Sequence, residues 1–542
     1  MGRRHKKSGH KKSKGRPQSS TEYSDGGDEQ EGIQENDKVF EIQISDIMGR
    51  FITSTRKILP GEVILSELPI VVGPCADCGA QCLGCYKSLD NGESGLVRCE
   101  CGWLICSKTC PGIYTPLGHT QMECSILRNS ESAKAFNTEN LSEIGLHLQA
   151  IAPLRCLLLK SGDTKNFEII MAMEHHNDIR KNISQIWNTN QINVVNRIRS
   201  NWGLTEYSES EIHTVCGVLE VNSFEIGRRS KVRGLYRTAF LISHDCVPNT
   251  NHVDDENYKL TIRASKEIYP GQAITLNYAP TMQSTLKRRE YILNNKFFEC
   301  LCERCSDPTE LGSYFSALIC PKCQTGLILC EKPICFESSW SCNNFPKRCV
   351  GYNMSARSME LLLNRISQEV EKLGCNDIEG MEAFLDRYKN VLHETHYLNF
   401  GVKVSLSQFY GKIDGFLIHE LDDNALERKI YLCKEVLRIF DVIEPGYTRI
   451  RGVTQYEIHA PMMIQLTRRL TKKSAISKSE MKIKLKEIVK YLSEAKIILE
   501  QEPAESPEGQ MGSAATQALL QIKDWEKIVG NFSHAKFPEK RL

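Results

Sequence analysis

The stretch Ser243-His244-Asp245-Cys246-Val247-Pro248-Asn249-Thr250 is preceded by Asn222-Ser223-Phe224. It is followed by Tyr278 and then by Phe297-Phe298-Glu299-Cys300-Leu301-Cys302-Glu303-Arg304-Cys305. Taken singly, these residues are ordinary: a lone aromatic at a strand end packs, and a lone Asn or His is a hydrogen-bonded polar residue. Their order and the cysteines around them carry the information. Nine of the 23 cysteines fall in residues 75–124 and nine more in 300–349. In a chain without a secretory signal, close cysteine pairs read as zinc sites and not as disulfides. The isolated Cys156, Cys216, Cys375 and Cys433 read instead as buried core thiols.

With 542 residues the chain has room for two to four domains. Hydrophobic residues at 41% and charged residues at 25% are ordinary for a globular protein. A net charge of +2 argues against wholesale nucleic-acid binding, although eight Lys/Arg crowd residues 1–16. No apolar run is long enough for a membrane span, and no apolar segment follows the basic N-terminus. A cytoplasmic and nuclear protein is therefore expected, with no membrane partner. Residues 1–38, basic then acidic and Gly-rich, are expected to be a disordered tail. Any nucleic-acid contact is expected to be confined to it.

Two segments read alike. Lys57-Ile58-Leu59-Pro60-Gly61-Glu62-Val63-Ile64 stands beside Glu267-Ile268-Tyr269-Pro270-Gly271-Gln272-Ala273-Ile274. Each predicts strand, turn, strand, and alternation at Tyr258, Leu260, Ile262 and Ala264 adds another strand. One β-rich domain, interrupted between the two, accounts for both. About 130–225 reads as helix, including the polar run Glu174-His175-His176-Asn177-Asp178. Beyond about 352, Leu426, Ile430, Cys433, Leu437 and Phe440 step at helical spacing. So do Leu485, Ile488, Leu492, Ala495 and Leu499. Stacked antiparallel helix pairs are expected there, with a loop at residues 502–507, and His393, His396 and His459 as packing or surface residues.

Cys82-x2-Cys85, Cys99-x-Cys101, Cys106-x3-Cys110 and His119-x4-Cys124 place eight soft or borderline ligands in 43 residues, which suits two tetrahedral zinc ions. This order, with Gly102-Trp103 before Cys106, resembles a MYND finger. By that resemblance Cys82, Cys85, Cys106 and Cys110 share one zinc, and Cys99, Cys101, His119 and Cys124 the other. The second set departs from the usual spacing at both of its pairs, and Cys75-x2-Cys78 stands upstream as an alternative pair. Such a finger implies Pro-containing peptide partners. Downstream, Cys320-x2-Cys323 and Cys342-x6-Cys349 are candidates for a further zinc site, with Cys330 and Cys335 as rivals.

The opening stretch, with Met48-Gly49-Arg50-Phe51 before it and Cys300-x-Cys302-x2-Cys305 after it, resembles the SET domain of the SET-and-MYND family. The arthropod members look most similar. The resemblance covers about residues 40–525 and implies an α+β, multidomain fold. Its parts would be a SET N-terminal part (39–74), the finger (75–124), a helical insert (125–225), the SET core (226–299), a post-SET cysteine-rich zinc region (300–350) and a TPR-like helical superhelix (351–542). It implies a monomeric protein-lysine methyltransferase using S-adenosylmethionine on a protein with an exposed lysine. Methyl transfer to lysine is an in-line displacement that rewards alignment and needs the neutral amine. Tyr278 would orient the amine and the methyl, and Phe224 would wall the channel. Gly49, Arg50, Asn222, Ser243, His244 and Phe298 would hold the cofactor with Tyr278. Cys246, Cys300, Cys302 and Cys305 would share a third zinc. Three residues depart from the family pattern: Phe51 replaces a glycine, Ser243 an asparagine, and Lys296 a second channel tyrosine. Phe51 and Ser243 motivate the other reading, a partner-recruiting adaptor in transcriptional repression.

Overall fold

The two Pro-Gly segments lie against each other in antiparallel fashion. Ile58 N donates to Ile268 O at 2.9 Å, and Ile268 N returns to Ile58 O at 3.0 Å. Gly61 N bonds Ala264 O at 2.8 Å while Gly271 N bonds Ser54 O at 2.7 Å. Lys57 and Glu267, at matching positions, form an ion pair at 3.0 Å. Each bond in one half has a counterpart in the other, so a local two-fold relates the halves. Each half also carries a hairpin: Phe40–Ser45 with Gly49–Ser54, and Thr250–Asp254 with Leu260–Ala264. Val63–Glu67 adds a third strand to the second hairpin. Ile52, Ile58, Leu260, Ile262, Ala264, Ile268 and Ile274 are fully buried between the halves, which is the alternation the sequence predicts. The computed structural model describes residues 39–46, 48–89, 97–129, 141–227, 230–471 and 477–530. The expected disordered tail, 1–38, lies outside these residues.

Tyr258 is a correction. It sits in the turn ahead of its strand, with φ +62° and its N–H on Asp255 O at 3.0 Å. The Asp255-Glu256-Asn257 turn, with the Asp255 carboxylate accepting from the backbone of Asn257 and Lys259, overrides the alternation.

Between the halves, Val71–Pro74, Val232–Leu235 and Phe224–Ile226 form a second antiparallel sheet. The first cysteine cluster has little regular structure beyond Val97–Arg98 paired with Leu104–Ile105. Helices follow at Gln121–Asn129, Ile151–Gly162, Thr164–Met171 and Glu209–Asn222. The last starts at a reciprocal cap, Ser208 with Glu211. The polar run near 174–178 is mostly not helical: only Asn177–Arg180 forms a turn of helix, after His176 at φ 48°.

The cysteine-rich region extends past residue 350. Leu318–Ile319, Leu327–Cys330, Trp340–Cys342 and Asn353–Met354 make one four-stranded sheet. This sheet shares its core with the following helices, through Phe315, Leu318, Trp340, Met359 and Phe400. Helices then run Ala356–Glu371, Ile378–Tyr388, Tyr397–Phe409, Asp423–Ile443, Arg449–Thr471, Lys478–Leu499 and Pro507–Gly530. The helical stripes face inward: Leu426, Cys433, Leu437, Phe440, Leu485, Ile488, Leu492, Ala495 and Leu499 are all buried. His396 is fully buried, and burial pushes its pKa down to about 3. Cys375 is exposed, between two helices, and so is not a core thiol; Cys156, Cys216 and Cys433 are buried. None of the described helices is long and apolar enough to cross a membrane.

The helical region docks on the SET hairpins through backbone. Gly446 has φ +91°, and a Cβ there would lie 2.0 Å from Ser265 O. The next residue, Tyr447, donates its N–H to that same oxygen at 2.7 Å, and its own carbonyl accepts from Asn251 Nδ2. We expect Gly446→Ala to destabilise the protein by about 2 kcal/mol or more. Urea denaturation would show this as a lowered midpoint, and limited proteolysis as faster release of the helical region.

Candidate active site and metal centres

Four groups of soft ligands converge among the described residues. They are Cys82, Cys85, Cys106 and Cys110; Cys99, Cys101, His119 and Cys124; Cys246, Cys300, Cys302 and Cys305; and Cys320, Cys323, Cys342 and Cys349. Within each group all donor atoms lie within 4.8 Å of one another. Cys75 and Cys78 stay apart as buried thiols, and burial pushes Cys75 up to about 12. Cys330 and Cys335 likewise lie outside the fourth group.

The spacing tests what these groups can hold. A disulfide needs sulfurs about 2.05 Å apart, whereas a tetrahedral zinc with Zn–S about 2.3 Å has edges of about 3.8 Å. The observed separations are 3.6 Å for Cys82–Cys110, 3.5 Å for Cys85–Cys106 and 3.6 Å for Cys99–Cys124. They are 3.5 Å for Cys246–Cys305, and 3.8 Å for both Cys320–Cys349 and Cys323–Cys342. His119 presents Nε2 to Cys101 at 3.4 Å. All four donor sets therefore fit zinc.

Partners behind the ligands strengthen the fit. His119 turns its other ring nitrogen, Nδ1, to Glu123 Oε1 at 2.6 Å, and both side chains are fully buried. Arg155, from the Ile151–Gly162 helix, answers Glu123 at 2.6 and 3.1 Å. It also reaches Val72 O at 2.9 Å and Leu83 O at 3.2 Å, tying the finger to the SET sheet. A histidine held by a carboxylate is fixed in tautomer and is a better ligand. In the third group, the buried Arg288 donates Nε to Cys246 Sγ at 3.3 Å and Nη2 to Cys305 Sγ at 3.7 Å. Glu310, also buried, accepts from Arg288 at 3.0 Å and pairs with Arg304 at 3.4 Å. Four thiolates around zinc carry net negative charge, so a buried guanidinium offsets it.

The Tyr278 region is assembled around this third group. Ser243–His244 pairs in parallel with Thr275–Leu276. Asn249 staples the loop that follows: its amide donates to Ala273 O and accepts from Thr275 N, both at 2.8 Å. His244 then links two parts of the site. Its Nδ1 accepts the Tyr278 N–H at 3.0 Å, and its Nε2 faces Cys246 Sγ at 3.4 Å. Tyr278 donates its hydroxyl to Ile242 O, and burial pushes the phenol's pKa well above its usual value. The His244 ring lies 5.2 Å from Tyr278 and 6.1 Å from Phe298, centre to centre. Phe224 packs edge-on to Tyr236 and to His252, both at 5.7 Å.

The remaining sequence-predicted cofactor residues flank this region with mixed engagement. Asn222 gives its amide to Glu174 O at 2.7 Å and Val218 O at 2.9 Å. Arg50 reaches Ala172 O and lies over the Phe240 ring at 5.4 Å. Arg50 thereby ties the helical insert to the first hairpin, while the Asn222 amide is engaged within the insert itself. Gly49 faces open space, since a Cβ there would meet nothing within 4 Å. Phe51 is half-buried in its strand opposite Gln43. Ser243 Oγ is buried with no hydrogen-bond partner. An orphaned hydroxyl beside His244 fits a site that receives a polar ligand.

The comparisons agree with this geometry. Residues 49–279 match the SET domain family. SET domain-containing protein SmydA-8 of Drosophila melanogaster is 27% identical over 350 residues, 62% of this chain and 72% of that protein. Histone-lysine N-methyltransferase ASHR1 of Arabidopsis thaliana is 27% identical over 263 residues, covering 48% of this chain and 53% of that one. Human protein-lysine N-methyltransferase SMYD4 is 27% identical over 165 residues, 28% of this chain and 20% of that protein. Over these stretches the chain is similar to SET-and-MYND proteins. The SET match runs from the second strand of the first hairpin through the finger and the second hairpin to Tyr278, so the split seen in the fold is a split within one domain.

Sequence reasoning missed Glu123, Arg155, Arg288, Glu310 and His252. Only Glu123 had a signal, standing four residues after His119 where a helix would place it on the same face. We expect Glu123→Gln to weaken zinc at the Cys99 group by about 10- to 100-fold. Competition with a chromophoric chelator should show one ion released early and the Cys82 group unaffected.

Proposed function

We propose that this chain is a protein-lysine N-methyltransferase that draws its methyl group from S-adenosylmethionine. The observation that carries the reading is the His244 linkage. One ring binds the Tyr278 backbone on one side and faces a four-cysteine group on the other, so the post-SET segment and the tyrosine are positioned together. We propose zinc in all four groups, as a structural metal, since four protein ligands leave no open coordination position.

Gly49, Arg50, Asn222, Ser243, His244 and Phe298 would hold the cofactor, which supplies a methyl carbon on a sulfonium. Ser243 Oγ is the group left free to meet it. The ring of Phe298 offers a face for its base, and His244 contributes its backbone and ring edge, since both ring nitrogens are engaged within the chain. Tyr278 orients the amine. Phe224, braced by Tyr236 and His252, walls the channel and excludes water, which favours the neutral amine over the ammonium. Burial opposes ionisation of the phenol and its proton is given to Ile242 O, so toward the amine its oxygen accepts from an N–H and does not act as a base. Through the finger we propose docking of a Pro-containing peptide of a protein partner.

The rival reading is an adaptor whose SET core is only a scaffold. It is favoured by Ser243, whose hydroxyl replaces an amide able both to donate and accept. Calorimetric titration separates the two. Binding of S-adenosylmethionine below millimolar concentration supports the enzyme, and no binding at that level leaves the adaptor. For the enzyme, Tyr278→Phe should cost about 10²-fold or more in kcat with the cofactor affinity changed only slightly. Labelled cofactor and a cell extract provide the assay: a protein band labelled by the wild type and lost in the variant is the expected result.

A further inference from the structure

Lys296 ends the Thr285–Lys296 helix and carries its Nζ to the face of the Tyr278 ring. Its Nζ donates to Val221 O at 2.9 Å and to Glu220 O at 3.1 Å, and sits 5.8 Å from the centre of the Tyr278 ring. Those two carbonyls close the Glu209–Asn222 helix, immediately before Ser223 and Phe224. The ammonium therefore stands at the negative end of a helix, close to the ring of the residue that would orient the amine.

A helix C-terminus with free carbonyls is an ammonium-binding site. Next to a lysine channel it would be a competitor: an arriving substrate ammonium could dock on Glu220 O and Val221 O and remain protonated. We propose that Lys296 is a positioning residue that occupies this helix end, so that a substrate lysine reaches Tyr278 as the neutral amine. Its proton is left with bulk water before entry. This rests on the methyltransferase reading and deepens it by naming what controls the substrate's charge.

The surroundings are consistent with a resident cation. Burial lowers the Lys296 pKa, Glu220 and Glu225 act to raise it, and Arg233 adds to the lowering. Tyr278 faces it as a neutral phenol. Burial is the largest of these influences and leaves the pKa below the usual lysine value, while the two carbonyl acceptors at 2.9 and 3.1 Å and the two carboxylates hold the ammonium in place.

The test is kcat against pH, which reports ionisations within the complex. It uses the full-length zinc-loaded protein and whichever lysine peptide the wild type methylates fastest in a peptide-array screen. Lys296→Met removes both the charge and the carbonyl partner. Its rising limb should move to higher pH by about one unit, from half a charge at about 5 Å. Lys296→Arg should leave the limb where the wild type has it. If the Met variant loses zinc or folds poorly, Lys296→Gln, a shorter polar side chain that removes the charge and withdraws from the two carbonyls, is still expected to shift the limb upward. A limb unmoved in folded Met or Gln variants overturns the inference, since a purely structural lysine would change kcat without moving its pH dependence. A wild type that binds no S-adenosylmethionine rejects the methyltransferase reading itself. A wild type that binds it but methylates no peptide overturns the delivery role.

Discussion

Cys246 reaches the post-SET trio at the end of a short strand, 3.5 Å from Cys305 and 3.9 Å from Cys300. Most of what surrounds Tyr278 follows from that closure. The segment carrying Phe298 is held down at Cys300, Cys302 and Cys305, while His244, two residues before Cys246, is clamped between the cluster and the tyrosine. The buried Arg288 makes the arrangement electrostatically tolerable. It donates to two of the sulfurs and is in turn answered by Glu310. Removing either partner would leave a charge buried without its counterpart, which is far more costly than never having built the pair.

The same logic recurs in the finger. Among the described residues, regular structure there amounts to a two-strand ladder, isolated bridges and the helix that carries Cys124, so ligand closure is the main source of order. His119, Glu123 and Arg155 form a line from the second metal group through the helical insert to Val72 of the SET sheet. The finger is thereby part of the SET body and not a pendant module.

Much of this was legible in the sequence because ligand chemistry imposes spacing. Cys82 with Cys85, or Cys302 with Cys305, can be recognised without a fold, and the repeated Pro-Gly segments announce two matching strand-turn units. Residues that act through three-dimensional convergence were not legible. Arg288 reads as one more polar residue on a helix, and Arg155 as an odd charge in an apolar run. Tyr258 was misread because an Asp-led turn can imitate the first position of a strand. Cys375 was misread because isolation in sequence says nothing of burial. The sheet ending at Met354 was cut short because its last strand is only two residues long and carries no cysteine.

The account stands or falls on whether the third cysteine group supports the cofactor site. The most direct test takes Cys302→Ser, at the half-buried ligand of that group, and measures zinc content and S-adenosylmethionine affinity on the same sample. The account predicts one zinc fewer than the wild type and cofactor binding weakened at least about tenfold, with the finger's ions retained. A variant that loses that zinc yet binds the cofactor as tightly as the wild type would contradict it.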